Sequence, residues 1–330
     1  MNTKTIVFTK ENTAETLDWP CEPMTADTVK VRMEYTVVSG GTERACLVGS
    51  KNTPVKYPKI LGYCGIGHVI EIGETVTTVK PGDHVLVYHG NHAQINVVPE
   101  IKVTKVTQNV DTLEAAFVII ASMGLGGVRK LELELGESAM VMGLGLLGLF
   151  SIQFLRLSGA YPLIAADPNP ARRELALKLG ADHALDPTAE DFKEQVKSLT
   201  KGQGVRACVE VTGISAAMKQ ALECSARQGR IALLGCTRVS DCEVDYYKLV
   251  HRPGIKLIGA HNFVRPKVES YPHHWTHQDD CTAILNLLEA GRIAVKPIIS
   301  RVVKPEDAPQ IYNQLANDPN FPLGTVFDWR

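Results

Sequence analysis

The order of apolar and polar positions divides the chain into three stretches with different periodicities. In the first, up to about residue 110, short β-branched or alternating runs separated by turn formers predict strands. These predicted strands cover residues 5–8, 29–38, 65–72, 84–89 and 93–98. One short helix is predicted at residues 42–47, and no helical crossover lies between successive strands. This stretch therefore predicts an antiparallel β-barrel.

The second stretch alternates short apolar runs with segments of helical period. Its apolar runs lie near residues 139, 163, 183, 206, 230 and 255, which gives the six strands of a complete dinucleotide-binding sheet. The pattern predicts a doubly wound, parallel α/β domain.

A glycine-rich turn follows the first of these apolar runs, with the sequence Gly143-Leu-Gly145-Leu146-Leu147-Gly148. The first glycine permits a tight turn, the second lets the backbone approach a pyrophosphate, and the third lets the helix pack close to the strand. The two leucines between the later glycines begin the helix, whose free N–H groups and dipole favour a phosphate. The turn predicts a dinucleotide site.

The second apolar run ends in Asp167, about 20 residues beyond the glycines. A carboxylate there accepts a hydrogen bond from a ribose 2′-hydroxyl and repels a 2′-phosphate, so NAD is favoured over NADP. Arg172 and Arg173 follow closely enough to moderate that preference, and Arg172 is a candidate cofactor contact. Ligands of such sheets bind at the carboxyl ends of the strands. That rule adds three cofactor-binding candidates: Thr212, Gly235 and His261.

In the third stretch the alternation of strands and helices ends. This stretch contains an aromatic segment with several prolines, a predicted amphipathic helix and a predicted final strand at residues 325–328. We interpret it as the chain crossing back to complete the first domain. The predicted domains are residues 1–121, 122–262 and the returning segment 263–330.

Composition narrows the function classes. The 330 residues are 45% hydrophobic and 22% charged with a net charge of −1, which argues against nucleic acid or an anionic membrane as the main partner. No apolar stretch reaches the length of a membrane span. Eight dispersed cysteines without a CxxC pair indicate a reduced, cytoplasmic enzyme.

Four motifs resemble the medium-chain dehydrogenase/reductase superfamily, whose type members are zinc alcohol dehydrogenases. They are the segments 81–85 (PGDHV) and 97–100 (VVPE), the glycine turn, and 211–213 (VTG) before a helix. The resemblance implies an α/β protein with a GroES-like β-barrel catalytic domain and a six-stranded Rossmann domain. It also implies a nicotinamide cofactor, a small-molecule substrate and a homodimer or homotetramer.

The zinc ligands of that superfamily are not matched. The resemblance aligns Gly40 with the first ligand, a cysteine, and the segment Gly62-Tyr63-Cys64 with the Gly-His-Glu motif. It aligns Ile119 or its neighbours, all apolar, with the third ligand. The four-cysteine structural zinc loop is absent from the segment 88–92. We therefore expect no catalytic metal. Among zinc-less branches, the chain is similar to the hydroxyethyl-bacteriochlorophyllide dehydrogenase group and to threonine dehydrogenase-like bidomain oxidoreductases.

Without a metal, protein groups must move the proton and hold the charge on the substrate oxygen. Four catalytic candidates lie where the resemblance puts the active site: Thr42 as proton relay, Tyr63 and His92 as acid or base, and Glu43 as orienting group. Structural roles remain open for each: helix capping for Thr42, an amphipathic wall for Tyr63, a loop hydrogen bond for His92 and an ion pair for Glu43.

The returning segment supplies substrate-binding candidates that would suit a polyhydroxylated or anionic substrate: Arg265, Lys267, His274 and Trp275. The alternative is a solvated loop. Two histidine spacings, 89/92 and 273/274/277, would be metal sites in unfamiliar places.

The sequence thus predicts a zinc-independent, NAD-dependent oxidoreductase that interconverts a secondary alcohol and a ketone on a sugar, polyol or related metabolite. Two alternatives stay open: a quinone or enoyl reductase, and a non-catalytic dinucleotide-binding sensor.

Overall fold

The computed structural model describes residues 2–330. It contains two compact units, one formed by residues 1–120 and 281–330 and the other by residues 121–280. The second crossing therefore comes at residue 281, which corrects the predicted return at residue 263. Residues 263–280 group with the second unit because they bond to its helix at residues 121–129: Arg265 donates to the Ser122 carbonyl, and Asp280 pairs with Arg129.

The first unit is built mainly from antiparallel strands in two sheets. The smaller has the order β2-β1-β4, and the larger has the order β15-β16-β3-β5-β6-β8 with β7 also paired to β3. Only β15 and β16 run parallel within the larger sheet. The strands are β1 (Asn2–Lys10), β2 (Thr13–Pro20), β3 (Thr28–Val37), β4 (Lys59–Ile60), β5 (Cys64–Ile72), β6 (His84–Tyr88), β7 (Ile95–Pro99), β8 (Val103–Lys105), β15 (Arg301–Val303) and β16 (Thr325–Asp328).

The alternation of buried and exposed residues along the strands shows which face of the larger sheet packs against the core. Along β3, Val29, Val31 and Met33 are buried while the residues between them are partly or fully exposed, so one face joins the core and the other meets solvent. Helices α1 (Gly40–Leu47) and α9 (Ala308–Asn317) add Leu47, Tyr312 and other apolar side chains to that core. Helix α2 (Thr112–Ala115) precedes the long helix α3 (Val118–Arg129), and α8 (His277–Glu289) carries the chain back into this unit.

The second unit is a six-stranded parallel sheet in the order β11-β10-β9-β12-β13-β14. All six predicted strands are present, so the predicted α/β sheet is confirmed. The strands are β9 (Ala139–Met142), β10 (Leu163–Ala166), β11 (His183–Leu185), β12 (Val205–Glu210), β13 (Ser225–Leu233) and β14 (Lys256–Gly259). The connecting helices are α4 (Leu146–Leu157), α5 (Pro170–Lys178), α6 (Phe192–Leu199) and α7 (Ser215–Cys224).

Central strands of this sheet are buried on both faces, which is why they appear in the sequence as continuous apolar runs rather than alternating ones. Helix α7 ends at Cys224, and β13 begins at the next residue. The reason is local, since Ser225 adopts an extended conformation and its hydroxyl donates to the carbonyl of Ala221. None of the helices within residues 2–330 combines the length and apolar character that crossing a membrane needs.

Candidate active site

A buried carboxylate network lies in the first unit at the start of α1. Glu43 has no exposed surface and accepts three hydrogen bonds: from the Ser39 backbone N–H at 2.8 Å, from His92 Nε2 at 3.2 Å and from the Tyr312 hydroxyl at 2.7 Å. Burial alone would raise the pKa of Glu43, but the charge and hydrogen bond of His92, with the bonds from Ser39 and Tyr312, hold it below its ordinary value. Glu43 is therefore a buried anion held by three protein donors.

His92 has both ring nitrogens occupied and only 1% of its surface exposed. Its Nδ1 lies 2.7 Å from Thr36 Oγ1, which also accepts from Trp329 Nε1 at 2.9 Å. Because a carboxylate oxygen only accepts, the hydrogen of the contact with Glu43 lies on His92 Nε2, which donates to it. A group so enclosed does not reach a substrate. This corrects the prediction that His92 transfers the proton: it is a positioning residue for Glu43.

Tyr63 is the candidate acid that remains accessible. Its side chain is partly exposed, and its hydroxyl shares hydrogen bonds with the hydroxyls of Ser39 and Thr42. Burial, followed by the neighbouring Cys64, raises the pKa of Tyr63 well above its ordinary value, so the phenol is protonated at neutral pH. Since Ser39 is also held through its N–H by Glu43, the buried carboxylate supports the cluster of hydroxyls formed by Ser39, Thr42 and Tyr63.

The glycine turn in the second unit has the geometry that a pyrophosphate needs. Gly143 adopts a φ of +95°, and a Cβ on Gly148 would lie 1.9 Å from the Gly143 carbonyl oxygen, so neither position tolerates a side chain. A Cβ on Gly145 would meet nothing within 4 Å, which leaves the turn open on that side. Helix α4 has no side-chain cap, so the N–H groups of Leu146 and Leu147 point out of its first turn. These residues fit the phosphates of a dinucleotide.

Asp167 ends β10 beside that turn and is 4% exposed. Its two oxygens accept from the backbone N–H groups of Leu144 and Asn169, each at 2.8 Å, which fixes the carboxylate. Each oxygen keeps a second lone pair for a ribose hydroxyl. The nearest guanidinium, that of Arg172, lies 3.9 Å away, while Arg173 is bonded to Asp186 and to two backbone carbonyls.

Known proteins match both units. Residues 25–129 match the family described as alcohol dehydrogenase GroES-like domain, and residues 147–273 match the family described as zinc-binding dehydrogenase. L-threonine 3-dehydrogenase of Pyrococcus furiosus is 28% identical over 285 residues, which are 76% of this chain and 77% of that protein. D-guloside 3-dehydrogenase of Escherichia coli is 27% identical over 272 residues, which are 81% of this chain and 77% of that protein.

The fold is shared as well. A dehydrogenase from Sinorhizobium meliloti, solved with NADP bound, superposes with a TM-score of 0.84 at 21% identity, covering 99% of each chain. The chain belongs to the medium-chain dehydrogenase/reductase superfamily. It is an alcohol dehydrogenase-like oxidoreductase with a GroES-like unit and a Rossmann unit.

The donor set does not fit the catalytic zinc of that superfamily. At the aligned positions, Gly40 offers no ligand, Ile119 is a fully buried apolar side chain, and the Tyr63 hydroxyl is bonded to Ser39. Cys64 is buried, and burial raises the pKa of its thiol well above the usual range, whereas zinc needs a thiolate. Three suitable protein ligands do not meet here.

The remaining cofactor candidates serve different purposes. Gly235 is required for packing, because a Cβ there would lie 2.6 Å from the Gly213 backbone nitrogen. Thr212 contacts the glycine turn, but its hydroxyl and N–H both donate to Glu210. His261 is exposed and accepts from the Phe263 N–H at 3.2 Å, so it caps a short 3₁₀ turn. Direct contact of these three with the cofactor stays a prediction.

One substrate-binding candidate is used within the protein. Arg265 donates to Asp280 Oδ2 at 2.8 Å and to the Ser122 carbonyl, and only 9% of its side chain is exposed. Asp280 also accepts from Arg129 at 2.7 Å, and glycine at position 126 leaves the space that the guanidinium fills. This corrects the prediction that Arg265 binds substrate: it is half of a structural ion pair.

Three other candidates of that segment lie nearer the surface. Lys267 is exposed, His274 stacks on Tyr271 with ring centroids 4.9 Å apart, and the Trp275 ring lies 3.7 Å from the Arg129 guanidinium carbon. The predicted alternative metal spacings do not converge. Both His92 nitrogens are occupied, and His277 is buried with its Nδ1 3.1 Å from the Ser122 hydroxyl.

Sequence reasoning missed two features of the first unit. Ser39 looked like ordinary helix-flanking sequence, although its position immediately before the Gly40-Gly41-Thr42 segment was a signal for a helix N-cap. Tyr312 and Trp329 join the network from the C-terminal segment, more than 200 positions beyond Glu43 in sequence. No local pattern connects residues so far apart.

Proposed function

We propose that this oxidoreductase interconverts a secondary alcohol and a ketone without zinc, uses NAD(H), and acts on a sugar, polyol or related hydroxylated metabolite. One observation carries the proposal. At the position aligned with a superfamily zinc ligand, Tyr63 presents a protonated phenol that is hydrogen-bonded to two further hydroxyls. Within residues 2–330, its neighbours Glu43 and Cys64 belong to no group of three or more converging histidine, cysteine or acidic side chains.

Each residue then has a defined task. Tyr63 donates its proton to the carbonyl oxygen as the ketone is reduced, and a proton from solvent then returns to the phenolate through the partly exposed Thr42 hydroxyl and that of Ser39. Glu43 holds Ser39 in place through the backbone N–H, and His92 holds Glu43. The bound nicotinamide supplies or accepts the hydride.

The cofactor choice rests on Asp167. Its fixed carboxylate favours a ribose diol over a 2′-phosphate, and a single guanidinium at 3.9 Å does not cancel that charge. The names of the relatives, a guloside and a threonine dehydrogenase, support a hydroxylated substrate. They do not favour the quinone or enoyl reductase or the sensor. A homodimer or homotetramer formed through the free edge of β14, and a cytoplasmic location, belong to the same proposal.

The test compares two tyrosine variants. Tyr63→Phe removes the proposed acid, and Tyr57→Phe is the matched control, because Tyr57 also lies beside α1 but donates to the carbonyls of Cys46 and Leu47. With a panel of polyols, sugars and secondary alcohols and NAD, we expect kcat to fall roughly 100-fold or more in Tyr63→Phe. Tyr57→Phe should stay within about threefold of the unmodified protein.

Metal dependence is measured on the same samples. Protein stripped with a strong chelator should keep its turnover. Loss of activity on stripping, with recovery on added zinc, would refute zinc independence. Turnover within threefold of the unmodified protein in Tyr63→Phe would refute the role of the phenol, and silence across the whole panel despite tight NADH binding would favour the sensor.

A further inference from the structure

Three metal-ligating side chains meet on the solvent-exposed face of the larger sheet in the first unit. They are Glu34 on β3, His68 on β5 and His84 on β6, and their ligand atoms all lie within 4.8 Å of one another. Within residues 2–330, this is the one group of three or more histidine, cysteine or acidic side chains that meets this condition. It belongs to neither the hydroxyl cluster nor the dinucleotide site.

The sheet itself builds the cluster. His68 and His84 are direct cross-strand partners of β5 and β6, and their rings stack with centroids 4.5 Å apart and planes 17° apart. On the other side of β5, the register with β3 shifts between Met33 and Tyr35, so Glu34 is the extra residue of a β-bulge. Bulges redirect a side chain. Here Glu34 reaches both histidines, with its two oxygens 3.5 Å from His68 Nε2 and 3.0 Å from His84 Nε2.

The distances suit a tetrahedral ion. Zinc binds imidazole nitrogen and carboxylate oxygen at about 2.0–2.2 Å, which places neighbouring ligand atoms roughly 3.4 Å apart. The two shortest oxygen–nitrogen distances, 3.0 and 3.5 Å, are close to that value but belong to different oxygens of Glu34. One ligand atom from each of the three residues lies within 4.8 Å of the other two, so binding an ion draws the three together. Two imidazoles and one carboxylate leave a fourth position for water, and nitrogen ligands favour zinc over calcium or magnesium.

The exposure of the three side chains and the charges of neighbouring residues both affect ion binding. The side chains of Glu34, His84 and His68 are 22%, 24% and 47% exposed, so an ion reaches them without unfolding. Two cations lie close by: Arg32 is the cross-strand partner of His68, and Arg330 interacts with Glu34. Arg330 is partly neutralised, because it donates to both carboxylate oxygens of Asp328.

We propose that Glu34, His68 and His84 form a zinc-binding site that ties β3, β5 and β6 together on the outer face of the sheet. Its role is structural, since binding the folded sheet and not the unfolded chain stabilises the fold. The site is independent of the proposed function, which needs no metal at the hydroxyl cluster.

The experiment is a zinc titration of chelator-stripped protein, with competition against a chromophoric indicator, followed by cobalt substitution and its visible absorption spectrum. We expect one equivalent to bind, and Glu34→Gln, His68→Gln and His84→Gln each to weaken binding about 10-fold or more. The first matched control, Glu71→Gln, removes a carboxylate that pairs with Lys30 across the same two strands, β3 and β5. The second, His251→Gln, removes an exposed histidine of the other unit. Both should bind zinc as the unmodified protein does.

Thermal unfolding gives the second readout. Added zinc should raise the unfolding temperature of the unmodified protein and of the controls, but not that of the His68→Gln/His84→Gln double variant. Equal affinity in the double variant, or equal loss in a control, overturns the site. Turnover separates the two proposals: the His68→Gln/His84→Gln double variant should keep it. Because that variant lacks the proposed site, a loss of its turnover on chelator stripping counts against the zinc-free mechanism alone.

Discussion

The buried Glu43 network offers the sharpest test of how the candidate site is held together. Glu43→Gln keeps the size of the side chain and removes its charge. In the native protein one carboxylate oxygen accepts from Ser39 and His92, and the other accepts from the Tyr312 hydroxyl. Because Glu43 is fully buried, water does not compensate for any lost bond.

The expected loss follows from these three bonds. The amide oxygen still accepts from Ser39 and His92, but as a neutral group, which costs about 1 kcal/mol for each bond. The amide nitrogen only donates, so the Tyr312 O–H loses its acceptor, at a cost of roughly 1–2 kcal/mol. We expect the free energy of unfolding of the first unit to fall by about 3 kcal/mol. The control Glu71→Gln breaks an exposed ion pair with Lys30 and should cost less than about 1 kcal/mol.

Urea unfolding followed by tryptophan fluorescence measures this difference. In a Trp275→Phe background the remaining tryptophans, Trp19 and Trp329, both report on the first unit. The pKa of Glu43 is lowered in the folded state, so its contribution is complete above the unfolded pKa, whose ordinary value is 4.5, and is lost as the pH falls through the folded value. The difference in the free energy of unfolding between the native and the Glu43→Gln protein should therefore become smaller below pH 4.5. A difference in unfolding free energy under about 0.5 kcal/mol at pH 7, or one that stays the same at acidic pH, would show that the Glu43 carboxylate is not a stabilising anion.

Two further substitutions test the second unit. Asp167→Asn should shift the ratio of kcat/KM for NAD to that for NADP toward NADP by about 10- to 100-fold, since a charged hydrogen bond to the ribose contributes about 1.5–3 kcal/mol. The control Asp182→Asn removes a carboxylate that accepts the Leu163 N–H of the same sheet, and it should leave this ratio unchanged. An equal shift in both variants would contradict the role of Asp167. Asp280→Asn leaves two arginines without their buried partner and should destabilise the protein by about 3–5 kcal/mol in thermal or urea unfolding. Breaking the exposed Glu174–Lys178 pair with Glu174→Gln should have no measurable effect, and a similar result for both would show that the Asp280 pair contributes little.

The Rossmann unit was predictable because its signals are local. The turn glycines and Asp167 lie within one strand–turn–helix–strand segment, and the strands buried on both faces show continuous apolar runs. The return to the first unit was placed 18 residues early. Arg265 and Asp280 hold the intervening segment in the second unit through Ser122 and Arg129, and contacts between residues more than 140 positions apart leave no local signal.

The candidate site was only partly predictable for the same reason. The sequence placed Thr42, Glu43 and Tyr63 in one region, but it could not show that the His92 side chain is enclosed. The groups that enclose it are distant in the chain: Thr36 lies on β3, and Trp329, which donates to Thr36, lies near the C-terminal end. The cluster on the exposed sheet face also depends on register. Only the pairing of β5 with β6 and the bulge at Glu34 bring its three members together.

The residues aligned with the superfamily's zinc ligands do not supply a set of ligands. A Cβ on Gly40 would meet only Leu315 Cδ1, at an ordinary 3.6 Å, so space does not forbid a cysteine there. A cysteine at that position would still leave Ile119 apolar and the Tyr63 phenol bonded to Ser39. A buried acid without partners would be an uncompensated charge. Because Glu43 accepts from three protein donors, its charge is compensated within the first unit.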